Sequence, residues 1–246
     1  MITALFDRKT IGFGFKSGKS GPHFSDQTTI KNIIENIEVF NCLHKATANS
    51  RKLTRRHLVD LYGLDGSICL FRVFKQLWEN GSEARPVLAL QMALCRDPLL
   101  RVSIPLMMRL QPGEILTRQM MESQLEDYSP GSYSEASKKS FAQNINGSWT
   151  QAGFVEGRNK KLRTIPNICI ENVAFALFIA NLNGYEGQRA FQTDWMTMLS
   201  SNIDELYAKA QGAARYGYLR YKHASEVIEI TFPGWLTEQE KEVLNG

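Results

Sequence analysis

Apolar residues recur at helical spacing along most of the chain, and polar punctuation cuts the pattern into elements. Ile30, Ile33, Ile34, Ile37 and Phe40 fall three and four apart after Thr29, which predicts a helix opening there. Leu53, Leu58, Leu61 and Tyr62 form a second stripe that Gly63 and Gly66 terminate. Ser67 is then expected to cap a helix whose apolar face is Leu70, Phe71, Phe74, Leu77 and Trp78. Pro86 suits the first turn of a helix running to Arg96. Pro98 predicts the start of another that reaches Leu110, with a bend at Pro105. Gln111, Pro112 and Gly113 break the chain and mark a subdomain boundary.

In the second half, Thr117 is predicted to cap a helix over 118–128, with Met120, Met121 and Leu125 on its apolar side. Ser129, Pro130 and Gly131 read as a turn. Ser134 caps the next helix, whose buried face is Phe141, Ile145, Ser148 and Trp149, and Glu135 complements its dipole in the first turn. Phe154 and Val155, then Leu162 and Ile165, read as short strands flanking a turn at Gly157, Arg158 and Asn159. Two apolar helices follow over 171–182 and 187–199. A helix over 203–216 with Leu206, Ala210, Ala213 and Ala214 on one side then leads into strands over 218–222 and 227–232, which turn near Ala224 and Ser225. This second helix and hairpin carries Glu226 and Glu229 and reads as structural. The expected fold is therefore mainly α, multi-helical, with winged helix-turn-helix-like units and short β-hairpins. The expected organisation is an arm over 1–25, a helical subdomain over 26–112 and a winged-helix-like subdomain over 113–246.

Composition narrows the function classes. With 43% hydrophobic and 22% charged residues, the chain is that of an ordinary globular protein, and a net charge of +4 permits a polyanionic partner without arguing for one. Cys42, Cys69, Cys95 and Cys169 lie far apart in apolar or helical surroundings and read as buried thiols in a reducing compartment. His23, His44, His57 and His223 never approach a cysteine in zinc-ligand spacing. The best apolar run, 173–182, is about half the ~20 residues a spanning helix needs, so no membrane is expected. The start of the chain lacks the features of a signal peptide, so a cytoplasmic location is expected.

Gly12, Gly14, Gly18 and Gly21, interleaved with Phe13, Phe15, Lys16 and Lys19, predict a flexible arm. Gly18, Lys19 and Ser20 invite comparison with a phosphate-cradling loop. Phe13 stands where that loop needs glycine, and Gly21 and Pro22 follow instead of a helix, so no nucleotide and no cofactor is expected. Glu122, Glu126, Asp127, Asp194, Glu205, Glu238, Glu240 and Glu242 read as exposed helical positions, and no pair is placed for metal or acid–base work. Trp149, Trp195 and Trp235 read as core anchors. The expectation is a protein that is not an enzyme.

The chemistry that does stand out is cationic and comes from two adjoining elements. The helix over 135–151 is expected to expose Lys138, Lys139, Gln143, Asn144 and Asn146, and the hairpin to expose Arg158, Lys160, Lys161 and Arg163. Cations so placed pair with phosphates, while Gln and Asn reach base edges in a groove. A second run, Lys45, Arg51, Lys52, Arg55 and Arg56, has no acid among it.

The run NCLHKATANSRKLTRRHLVDL and the later SEASKKSFAQNINGSWTQAGFV together resemble the BrxA family of bacterial BREX phage-exclusion loci. The likeness extends over a little more than half of the chain, from about Ile30 to Arg163. It implies a mainly helical fold with winged-helix elements, DNA binding and association with other phage-defence proteins. By position it implicates Lys45, Arg51, Lys52, Arg55 and Arg56 in the first motif and Lys138, Lys139 and Gln143 in the second. The Gly-rich arm and the acidic C-terminal hairpin depart from the family pattern. The function expected is a component of a defence complex that binds double-stranded DNA mainly through backbone phosphates, with weak sequence preference. The alternatives are a helical protein–protein adaptor that touches no nucleic acid, and an RNA-binding protein.

Overall fold

The computed structural model describes residues 34–35, 37–41, 43–224 and 227–245. The described residues are mainly helical, with two small antiparallel hairpins. In order, the helices are α1 (Ala48–Tyr62), α2 (Cys69–Asn80), α3 (Arg85–Arg96), α4 (Pro98–Arg101), α5 (Ile104–Arg109), α6 (Arg118–Tyr128) and α7 (Glu135–Gln151). Strands β1 (Val155–Glu156) and β2 (Leu162–Arg163) follow, then α8 (Ile170–Leu182), α9 (Gly187–Phe191), α10 (Asp194–Thr197) and α11 (Ile203–Arg215). The chain ends with β3 (Arg220–Ala224), β4 (Val227–Thr231) and α12 (Glu238–Asn245). The N-terminal arm lies outside the described residues, as does most of the predicted first helix. Ile34, Glu35, Ile37 and Glu38 of that helix are helical, whereas Phe40, expected on its apolar stripe, lies beyond it and is exposed.

The molecule divides into two compact units. One holds the described residues up to Phe71 together with 92–165, and the other holds 72–91 together with the described residues from Pro166 onward. The break at Gln111 to Gly113 falls inside the first unit.

In the first unit, caps and breakers set the helix ends. Gly63 adopts φ 64° and closes α1, a conformation that glycine reaches without a Cβ penalty. The helix expected from Pro98 to Leu110 is two helices. Pro105 sits in the first turn of α5, where its missing N–H is harmless, and the ring's clash with the preceding turn separates α4 from α5 instead of bending one rod. Thr117 accepts from the Met120 N–H and Ser134 from the Ser137 N–H, each satisfying an otherwise orphaned donor. Ala142, Ile145 and Trp149 bury one face of α7. The Trp149 indole N–H donates to Ser103 Oγ at 2.7 Å, and its ring meets Phe154 edge to face at 5.0 Å.

In the second unit, α8 is the central element. Every residue from Val173 to Ala180 is buried, the pattern of a helix surrounded on all sides. Asn172 ties its start: it accepts from the Cys169 N–H at 2.9 Å, donates to the Ala84 carbonyl at 3.0 Å, and its own carbonyl accepts from Gln91 at 2.9 Å. The predicted helix over 187–199 is split into α9 and α10 at Gln192 and Thr193, and the helix and hairpin predicted next are present as α11, β3 and β4. Phe178 packs against Phe232 and Trp235, and Arg72 holds Glu240 of α12 at 2.6 Å. Cys69, Cys95 and Cys169, expected to be buried, are half-buried; Cys42 lies outside the described residues. Burial pushes the Cys95 thiol up to about 12. Among the described residues no helix is long and apolar enough to cross a membrane.

Candidate nucleic-acid interface

Residues 104–163 follow the order helix, extended segment, helix, turn, helix, hairpin. Helices α6 and α7 pack on each other, and β1 packs on α7. β1 and β2 pair Val155 with Arg163 and Glu156 with Leu162. The sequence pattern gave no sign of a third extended piece. The Gly113 N–H donates to the Arg163 carbonyl and the Arg163 N–H to the Glu114 carbonyl, both at 2.8 Å; the Leu116 N–H reaches the Lys161 carbonyl at 2.9 Å, and Ile115 stands opposite Leu162. Successive strand residues direct their backbone groups to opposite sides. Arg163 thus faces 113–114, while Thr164, whose N–H donates to the Phe154 carbonyl at 2.8 Å, faces the β1 side. β2 is therefore central in a small three-stranded ribbon.

The structure sorts the predicted contact residues into two groups. Lys138 is not a free cation: its ammonium donates to Glu126 at 2.8 Å and to Glu135, and its side chain is 12% exposed. Glu126 first, then Glu135, raises the Lys138 pKa, while Lys138 and the Gly131 N–H hold Glu126 below the usual carboxylate range. Asn146, expected on the exposed face, is 3% exposed, and its Oδ1 finds no partner among the described residues. It sits one position past Ile145, close enough to the apolar arc of the helix to be carried inside. Lys161 and Arg163 brace the hairpin. Lys161 donates to Thr150 Oγ1 of α7 at 2.8 Å. Arg163 donates to the carbonyls of Phe154 and Thr164 and lies over the Phe154 ring at 5.2 Å. Burial lowers the Arg163 pKa from its ordinary value.

Lys139, Gln143 and Asn144 on α7 and Arg158 and Lys160 at the hairpin tip are exposed. None of these five side chains makes an ion pair or hydrogen bond with a described residue; the Asn144 backbone carbonyl accepts from Ser148 Oγ at 3.1 Å. Lys139, Gln143 and Thr150 are separated by four and seven positions, so they share one stripe of α7. Because Thr150 is also where Lys161 anchors the hairpin, that stripe runs directly to the strand bearing the cationic tip. Thr150 was missed at the sequence level, although its spacing from Lys139 and Gln143 was readable.

The other basic run is less uniform. Lys52 and Arg56 are exposed, and Arg56 approaches Asp60 only at 3.9 Å. Arg55 is paired with Glu38. Arg51 is half-buried, with its Nε enclosed and unpartnered among the described residues, and Lys45 is half-buried. Among the described residues no group of three or more His, Cys, Asp and Glu side chains is placed to hold a metal ion. No protein-family model matches this chain, and no curated protein or solved structure is significantly similar to it.

Proposed function

We propose that this protein binds double-stranded DNA through a winged helix-turn-helix formed by α6, α7 and the β1–β2 hairpin, without catalysing a reaction on it. The observation that carries the reading is the Lys161–Thr150 hydrogen bond, which ties the cationic hairpin to the same stripe of α7 that exposes Lys139 and Gln143. A polyanion laid along that stripe meets Lys139 on the helix and then Arg158 and Lys160 on the wing. Lys52 and Arg56 on α1 are further candidate phosphate contacts. Lys138, Lys161, Arg163 and Arg55 serve to hold the elements in place. The likeness of residues 41–61 and 134–155 to the BrxA family supports a role beside other phage-defence proteins.

Affinity from phosphate contacts falls with salt by about 0.9 log units per log unit for each phosphate neutralised. The triple variant Lys139→Ala, Arg158→Ala, Lys160→Ala is therefore expected to flatten the salt slope of duplex binding by roughly 2 to 3 units. Its melting temperature is expected to stay close to that of the wild type, because the three side chains are exposed. Fluorescence-anisotropy titrations from low to moderate salt measure the slope, and an unchanged slope refutes the interface. A gel shift at low salt separates this reading from a protein adaptor, which retards no duplex, and competition with RNA separates it from an RNA binder.

A further inference from the structure

We infer that the exposed stripe of α7 reads base edges in the major groove, with Gln143 recognising adenine, so that binding is sequence-selective; this rests on the winged-helix reading above. The argument starts from charge. With Lys138 held by Glu126 and Glu135, Lys139 is the one cation left on the outward face of α7. A helix that served only to grip phosphates would need several. What the face offers instead is amide chemistry: Gln143 and Asn144 are exposed, and neither side chain is engaged by a described residue. Space is available beside them, since Ser140 is exposed and a Cβ placed on Gly147 would meet nothing within 4 Å beyond its chain neighbours and the backbone of its own helix.

The hairpin supplies the complementary part. Arg158 and Lys160 concentrate charge at the tip, where a wing meets the sugar–phosphate backbone, and this frees the helix from that task. A glutamine or asparagine amide donates to one acceptor and accepts from one donor at once. In the major groove adenine alone presents that pair, at N7 and the N6 amino group. Gln143 lies on the Lys139–Thr150 stripe that leads to the hairpin's anchor, whereas Asn144 is about 100° further round the helix. Gln143 is therefore the adenine contact, and Asn144 faces the neighbouring base pair or backbone.

The test is selection of duplexes with a randomised centre by the whole protein, followed by sequencing of the bound fraction and affinity measurement on the enriched duplex. Enrichment of adenine at one position is expected, and Gln143→Ala should abolish the preference at that position while still binding duplex. Replacing that adenine by 7-deazaadenine, which removes the N7 acceptor, is expected to weaken wild-type binding by about 5- to 100-fold and to leave the Gln143→Ala variant unaffected. Bound duplexes with no enriched base, or a preference that survives Gln143→Ala, overturn the inference and leave the winged-helix reading standing. Failure of the wild type to retain any duplex at low salt overturns both.

Discussion

Lys138 shows how a single pairing changes what a residue is for. Between Glu126 and Glu135 its ammonium joins the end of α6 to the start of α7, so its charge is spent on holding the two helices together. The pH consequence follows from Glu126, whose pKa is held down first by Lys138 and then by the Gly131 N–H. A carboxylate depressed in the folded state contributes stability above its unfolded pKa, and that contribution is lost as pH falls through the folded one. Lys138, raised, keeps its own share until far into the alkaline range. The melting-temperature gap between the wild type and Glu126→Gln is thus expected to be widest at neutral pH and to close as acidification passes below the usual carboxylate range. Thermal melts at several pH values measure it, and a gap that stays constant would contradict the assignment. The buried bond from Trp149 to Ser103 is of the opposite kind, because both partners are neutral and pH leaves it untouched.

At the scale of elements, the hairpin is short and depends on its turn. Gly157 adopts φ 94°, and a Cβ there would overlap the Lys160 carbonyl oxygen, so the turn admits only glycine. Gly157→Ala is expected to destabilise the hairpin by roughly 1 to 3 kcal/mol and to weaken duplex binding by displacing Arg158 and Lys160. Hydrogen exchange at the Thr164 amide, which bonds to Phe154, reports the first effect, and unaltered protection there would count against a glycine requirement. Much of the element pattern was legible beforehand. Thr117, Ser134 and Gly63 end or begin helices where their side-chain chemistry or lack of a Cβ demands it. The split at Pro105 and the pairing of 113–116 with β2 were not legible. A proline in a periodic run is compatible with a kink or a break, and three or four residues are too few to show strand alternation.

Over the whole molecule, charge is distributed unevenly. Among the described residues Lys and Arg outnumber Asp and Glu in the first unit, and Asp and Glu outnumber Lys and Arg in the second. The mild net charge of +4 averages over that difference. Under the proposed DNA-binding function, that excess of positive charge favours the unit that carries α7 and the hairpin. Arg215 and Arg220, exposed cations of the second unit, supply a control. The variant Arg215→Ala, Arg220→Ala is expected to leave duplex affinity within about twofold and the salt slope unchanged. A loss as large as that of the Lys139, Arg158, Lys160 variant would move the interface to the other unit.

The sequence by itself determined the helical character of the chain, most helix ends and the succession of two helices and a hairpin. These depend on periodicity, capping and turn chemistry acting over a few neighbouring residues. Only the tertiary structure decided which cations face outward. Glu126 and Lys138 are twelve positions apart and Lys161 and Thr150 eleven, and such pairs meet only when helix packs on helix and strand on helix. Helical period tells which side of an element a lysine occupies. Whether a carboxylate, a hydroxyl or open water waits on that side depends on the neighbour packed against it.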